Sequence, residues 1–146
     1  MKDADKINIR KAVAEDAGLI VLLAKELGYD ASLKEIETRI TKINSSKTEE
    51  IYIAEYDKVV GWMHISVVEP LESAAFIEIR GIVVNKEHRR KGIGTLLIKT
   101  AENHAREAGI KKVRIRTNIK REETRTYYRH LNYIPIKTQE VFEKKI

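Results

Sequence analysis

The segment that most constrains the fold is AFIEIRGIVVNKEHRRKGIGTLLIKTA, residues 75–101. Its first ten residues, 75–84, are mostly β-branched and apolar, which predicts a buried strand. After a basic connection with two glycines, apolar side chains recur at helical spacing as far as Gly109. These helix positions are Ile93, Leu97, Ala101, Ala105 and Ala108. A strand that enters a helix through a short turn predicts an α/β domain.

The rest of the chain repeats this alternation of strand and helix patterns. Strands are predicted over 7–13, 51–56, 59–68 and 112–118, with two more short strands around Pro135. Helices are predicted over about 16–28, in which Leu19, Leu22, Leu23 and Leu27 form the apolar face, and over 33–43 and 121–131. The order is β-α-α-β-β-β-α-β-α-β-β, and residues 1–146 are predicted to form one domain with six or seven strands and about four helices.

Composition excludes several classes of protein. The chain has no cysteine, so disulfides, thiolate metal sites and a cysteine nucleophile are excluded. The longest apolar run, 19–24, is too short to cross a bilayer, and residues 1–10 lack the apolar segment of a secretory signal, so we expect a cytoplasmic protein without a membrane partner. The net charge of +6 favours an anionic ligand, either nucleic acid or a phosphorylated cofactor, although a solvated lysine-rich surface would account for it equally well.

The basic Gly-x-Gly turn before the third helix has the chemistry of a phosphate site. A helix N-terminus exposes unpaired amide groups and a partial positive charge. Gly92 and Gly94 allow an anion to approach the backbone, and the side chains of residues 89–91 add charge. By itself this turn could be purely structural, and it is neither a Walker loop nor a dinucleotide fingerprint.

The segment RRKGIG, residues 89–94, matches the Arg/Gln-x-x-Gly-x-Gly/Ala signature of the GCN5-related N-acetyltransferases (GNAT), and nearly the whole chain resembles that family. The order of elements is similar, and TRTYYRHLNYIP resembles the family's second motif. Asn132 replaces the glycine that is usual there, a mild departure because asparagine tolerates a left-handed backbone. The resemblance implies a GNAT-like fold with a mixed central sheet.

The resemblance also implies acetyl-CoA as cosubstrate, with no metal. By position, the turn would hold the pyrophosphate through Arg89, Arg90, Lys91, Gly92, Ile93, Gly94 and Thr95. The backbone of Ile82, Val83 and Val84 would pair with the pantetheine arm, in a gap that a bulge opens between this strand and 112–117. Asn118 would bind the pantetheine or orient the helix that carries Tyr128, although an asparagine after a strand is also a common turn residue.

Two side chains are the candidates for acid and base. The resemblance gives Tyr128 the role of general acid toward the CoA sulfur, with Tyr127 in the core; both could instead be packing residues. Glu78 interrupts an apolar strand and is the candidate base. Simple alternation would place Glu78, Arg80 and Ile82 on one face, where an ion pair between Glu78 and Arg80 is the structural alternative. His64, which shares a strand face with Trp62 and Ser66, is the alternative base.

The acceptor is predicted from the resemblance alone. It implies a primary amine of a small molecule, aminoglycoside-like or polyamine- or amino-acid-like, bound near Tyr29, Trp62, His64 and Glu78. The alternatives are a protein or peptide acceptor and a catalytically silent CoA-binding or regulatory module. Nucleic acid is a weak candidate because basic and acidic residues are interleaved along the chain. A homodimer, formed through TQEVFEK, is expected by analogy with the family.

Overall fold

The computed structural model of the chain describes residues 6–146, which form two compact units. The first unit ends at Ile115 and the second covers Arg116–Ile146. The strands are β1 (Asn8–Lys11), β2 (Glu49–Tyr56), β3 (Lys58–Val68), β4 (Phe76–Val84) and β5 (Val113–Ile115). The helices are α1 (Ala17–Glu26), α2 (Leu33–Asn44), α3 (Ile93–Glu107) and α4 (Glu122–His130). No helix formed by residues 6–146 is long and apolar enough to span a membrane.

The five strands form one mixed sheet in the order β1-β2-β3-β4-β5. All neighbours are antiparallel except β4 and β5, which are parallel. The mixed α/β fold with four helices is therefore confirmed, but the sheet has fewer strands than predicted. Residues 131–146 form no strand in the described chain. Their apolar pattern was misleading because a strand also needs a neighbour for its backbone groups, and Pro135 has no N–H to donate.

Helices α1 and α2 pack on one face of the sheet. One cluster of buried side chains joins α1 and α2 to one sheet face through Ile20, Leu23, Ile40, Ile51 and Ile53. The buried face of α1 consists of Ala17, Ile20, Leu23 and Ala24. The predicted leucine face is thus wrong except at Leu23. Leu19, Leu22 and Leu27 are exposed because the helix turns the face that carries Ala17, Ile20 and Ala24 toward the sheet.

A β-bulge in β4 decides which side chains share a face. Ile79 pairs with Ile65 and Gly81 with His64, so Arg80 is an extra residue without a partner in β3. Beyond the bulge, the alternation of side chains is shifted by one position. Glu78 therefore shares its face with Gly81 and Val83, whereas Ile82 lies on the face of Ile79. The predicted grouping of Glu78 with Ile82 is wrong for this reason.

The segment from β1 to α1 is held by a buried carboxylate. Asp16, which is 6% exposed, accepts hydrogen bonds from Arg10 Nη1 at 2.8 Å and Nη2 at 2.7 Å, and from the Val13 amide at 2.8 Å. Arg10 also pairs with Glu55 of β2. The hydrogen bonds from Arg10 lower the pKa of Asp16 from its ordinary value, against the opposing effect of burial. This network ties β1 to the start of α1.

Candidate active site

The basic turn between β4 and α3 adopts a conformation that suits an anion. Arg90 and Gly92 both have positive φ, at 65° and 83°, and Gly92 is the N-cap of the 15-residue α3. Leu96 donates the first helical hydrogen bond to the Gly92 carbonyl at 3.0 Å. The amides of Gly92, Ile93 and Gly94 precede this ladder, and the glycine N-cap has no side chain that could accept a hydrogen bond from them. These residues fit the pyrophosphate of CoA.

The end of β2 supports this turn through Tyr56. The Lys91 ammonium lies 5.1 Å from the centre of the Tyr56 ring, and the His88 ring meets it edge-on at 5.9 Å. A cation over an aromatic face is an attractive contact. The role of Tyr56 was missed from the sequence because the contact joins residues more than thirty positions apart.

The carboxyl half of β4 has a backbone edge that β5 does not pair. The β4–β5 ladder runs only from the Ile77–Val113 pair to the Ile79–Ile115 pair, immediately before the Arg80 bulge. Within residues 6–115, the part of β4 beyond the bulge pairs with β3 alone. Val83 is 6% exposed, so its side chain packs in the core, and its carbonyl oxygen lies toward Gly61 of β3. The edge at Ile82–Val84 fits an extended ligand with amide groups.

The sheet places a row of polar side chains across its middle strands. Glu49 of β2 lies opposite Ser66 of β3, and Ser66 lies opposite Glu78 of β4. His64, in the adjacent position along β3, binds Glu49 through its Nε2 at 2.9 Å. Arg80 Nη1 lies 3.9 Å from Glu78. His64 and Glu78 are thus brought to one face, together with Glu49, which the sequence reasoning missed.

Trp62 lies on the same face and leans over Gly81. A Cβ on Gly81 would be 3.1 Å from two carbons of the Trp62 ring, so glycine leaves the room that the indole needs. Trp62 Nε1 and Ser66 Oγ are buried without a hydrogen-bond partner among the described residues. Buried polar groups normally have partners, so these two atoms indicate where a bound ligand or water would be accepted. Tyr29 is in the loop between α1 and α2 and is 67% exposed.

In the second unit, Tyr128 is the more buried of the two neighbouring tyrosines. Its ring lies 5.7 Å from that of Tyr127 and 6.4 Å from that of Tyr133. Burial, followed by the effect of Tyr127, raises the pKa of Tyr128, so the phenol stays protonated at neutral pH and can donate. Tyr127 is 36% exposed, so its prediction as a core residue is wrong.

Asn118 and Asn132 delimit the α4 segment. The Asn118 side-chain oxygen accepts from the Lys120 amide at 2.9 Å, and its carbonyl accepts from the Arg121 amide at 3.0 Å. This Asx-type turn leads directly into α4, which agrees with an orienting role. Asn132 has a φ of 69°, the left-handed conformation expected of a residue at a glycine position.

Sequence comparison identifies one family over most of the chain. The family model described as "Acetyltransferase (GNAT) family" matches residues 19–133. This range includes the basic turn, the polar row and α4. No curated protein sequence matches the chain.

Solved structures with the same fold cover nearly the whole chain. AAC(6′)-Iy, an aminoglycoside N-acetyltransferase bound to the bisubstrate analogue CoA-S-monomethyl-acetylneamine, has a TM-score of 0.82 at 16% identity, over 96% of this chain and 99% of that one. Glucosamine-6-phosphate N-acetyltransferase from Arabidopsis thaliana has 0.83 at 18%, over 95% and 99%. The 6′-N-acetyltransferase AAC(6′)-IG from Acinetobacter haemolyticus has 0.79 at 22%, also over 95% and 99%. At these identities the likeness establishes the fold and leaves the acceptor open.

Proposed function

Because the chain belongs to the GNAT family of acetyl-CoA-dependent N-acetyltransferases, we propose that it acetylates a primary amine of a small molecule by direct attack in a ternary complex. The observation that carries the proposal is the continuity of β4 with the basic turn. Within residues 6–115, the part of β4 beyond the bulge pairs with β3 alone, and it leads into a helix whose ladder of hydrogen bonds starts after the amides of Gly92, Ile93 and Gly94. An extended amide chain and a pyrophosphate could be bound by the two parts in succession.

Acetyl-CoA would be held mainly by backbone groups. The amides of Gly92, Ile93 and Gly94 would face the pyrophosphate, with charge supplied by Arg89 and Arg90. The main chain of Ile82–Val84 would pair with the pantetheine amides as an added strand. The bound cosubstrate supplies an activated acetyl thioester.

The residues that would act on protons lie on two parts of the chain. An acceptor amine must be neutral to attack, and both Glu78 and His64 stand on the sheet face where they could take its proton. Tyr128, held protonated by burial, would donate to the departing thiolate. Each proton transfer of this kind typically contributes about 10²–10⁴ in rate.

The acceptor is inferred to be a compact cationic amine. Glu49 and Glu78 give the polar row negative charge, which attracts an ammonium group. The proposed location is the cytoplasm, where acetyl-CoA would be the acetyl donor. The proposed oligomeric state is a homodimer. Tyr29 and Trp62 would contact the acceptor. Tyr29 lies in the loop between α1 and α2, and Trp62 lies on the same sheet face as the polar row.

The test is a thiol-release assay combined with calorimetry. Purified protein is titrated with acetyl-CoA and then assayed with neamine, glucosamine 6-phosphate, spermidine and lysine. Tyr128→Phe should lower kcat about 10²-fold or more and leave the acetyl-CoA affinity unchanged, because it removes only the phenolic proton. Tyr127→Phe is the matched control on the same helix and should retain wild-type turnover.

Each outcome has a definite meaning. Binding of acetyl-CoA without acetylation of any small amine would favour the silent CoA-binding module or a peptide acceptor over the proposed reaction. A Tyr128→Phe enzyme with wild-type kcat at saturating substrates would remove Tyr128 as the acid.

A further inference from the structure

We propose that Glu49 is a positioning residue that orients His64, and that His64 Nδ1 takes the proton from the acceptor ammonium. This inference rests on the proposed acetyltransferase function. Of the two candidate bases on this sheet face, Glu78 and His64, it is His64 that would take the proton. Glu49 belongs to no sequence motif.

The hydrogen bond between the two side chains determines which imidazole nitrogen can accept. His64 Nε2 is 2.9 Å from Glu49 Oε1. An ionised carboxylate has no proton to donate, so Nε2 must carry the hydrogen of this bond. In the neutral ring, Nδ1 is then the atom with the free lone pair. A carboxylate that holds a histidine in one tautomer and stabilises its imidazolium is the arrangement that makes histidine an effective base in other enzymes.

The other charged groups around His64 favour this histidine, rather than Glu78, as the group that takes the proton. On neighbouring strands the facing groups are Glu49, Glu78, Arg80 and Arg114, the last lying opposite Glu78 in β5. The sides of α1 and α2 that cover this sheet face are apolar. Glu78 already has a guanidinium at 3.9 Å, which offsets its negative charge, whereas the only ionic partner of His64 within the described chain is the Glu49 carboxylate.

Ser66 indicates independently that a ligand occupies this place. It is 6% exposed, and its Oγ has no hydrogen-bond partner among residues 6–146. Ser66 pairs across the sheet with Glu49 of β2 on one side and with Glu78 of β4 on the other, so it lies between the two carboxylates. A hydroxyl left unpaired in the protein costs stability unless a substrate or water completes its bonds. The acceptor or its hydration water would therefore bind beside His64.

The proton balance is simple. The ammonium gives one proton to His64 Nδ1, which forms an imidazolium paired with Glu49. The neutral amine attacks the acetyl carbon, its nitrogen forms the new C–N bond, and the C–S bond breaks. The acetylated nitrogen loses its second proton and the thiolate takes one up, so that the reaction releases one proton overall. His64, whose side chain is 22% exposed, then returns its proton to solvent.

The kinetic test compares the wild type with Glu49→Gln, Glu49→Asp and His64→Gln. The substrate is the amine that gives the wild type its highest kcat/KM, chosen from neamine, glucosamine 6-phosphate, spermidine and lysine. His64→Gln should lower kcat about 10²-fold. Glu49→Gln should lower kcat about 10-fold with little change in KM, and Glu49→Asp should restore part of it. Glu50→Gln, the next residue on the opposite sheet face, is the control and should behave as wild type.

A second readout needs no substrate. In ¹⁵N-labelled protein at a pH where imidazole is neutral, the nitrogen shifts of His64 should show the tautomer with its hydrogen on Nε2. Glu49→Gln should produce a mixture of tautomers because an amide can donate as well as accept. An unchanged tautomer in Glu49→Gln, or wild-type kcat in that variant, overturns the inference. A wild-type protein that acetylates none of the amines overturns the proposed function instead, so the two failures are distinguishable.

Discussion

Replacing Gly92 separates backbone strain from charge at the proposed pyrophosphate site. Gly92 has a φ of 83°, and a Cβ built there would meet no described atom within 4 Å. Substitution therefore causes no clash, but any L-residue in this conformation costs about 1–2 kcal/mol. Gly92→Ala, Gly92→Gln and Gly92→Glu should all lose about this much unfolding free energy. Only the last adds a negative charge.

The additional cost for CoA follows from electrostatics. A carboxylate about 5 Å from one phosphate charge, at an effective dielectric constant of about 20, is repelled by about 3 kcal/mol. Gly92 is exposed, so solvent and salt should reduce this to about 1–2 kcal/mol. Gly92→Glu should thus bind acetyl-CoA about 5- to 30-fold more weakly than Gly92→Gln, which has a side chain of the same size.

This comparison is tested by calorimetric titration with acetyl-CoA in two buffers, one with about 50 mM NaCl and one with about 500 mM NaCl. The difference between the glutamate and glutamine variants should shrink at the higher salt, because screening weakens only the charge term. Equal affinities for both variants and the wild type at low salt would refute the turn as a pyrophosphate site.

Two further predictions concern the scaffold. Asp16→Asn should cost about 1–3 kcal/mol at pH 7 because it weakens the charge-assisted hydrogen bonds that this side chain accepts from Arg10 and Val13. Since the folded pKa of Asp16 is lowered, its stabilisation is present above the ordinary Asp pKa of about 4 and is lost as the pH falls through the lowered value. The unfolding free energies of both proteins, measured in urea, should therefore converge as the pH falls below the lowered pKa, and a gap that persists in acid would contradict this account. Gly61→Ala would place a Cβ 2.9 Å from the Val83 carbonyl oxygen and should cost about 1–3 kcal/mol, whereas Gly18→Ala, with open space, should be neutral or stabilising. Equal melting temperatures for the two alanine variants would show that β3 and β4 separate without penalty.

The elements predicted best from the sequence are those whose patterns are long and local. The apolar spacing of α3, the strand of residues 76–84 and the basic glycine turn between them were all identified, because each depends on neighbouring residues. The left-handed Asn132 was also anticipated from residue chemistry. In contrast, the C-terminal strands were predicted from a local pattern that finds no partner strand in the described chain, so they do not form.

The sequence by itself determined the α/β class, the family, the turn suited to an anion, and His64, Glu78 and Tyr128 as the candidate groups for proton transfer. Only the tertiary structure decided which side chains of β2, β3 and β4 share a face of the sheet. The bulge at Arg80 shifts the faces of β4, and the register of β2 against β3 brings Glu49 to His64 across fifteen positions. Register and bulges depend on how separate strands pair, and a single strand's alternation carries no information about that pairing.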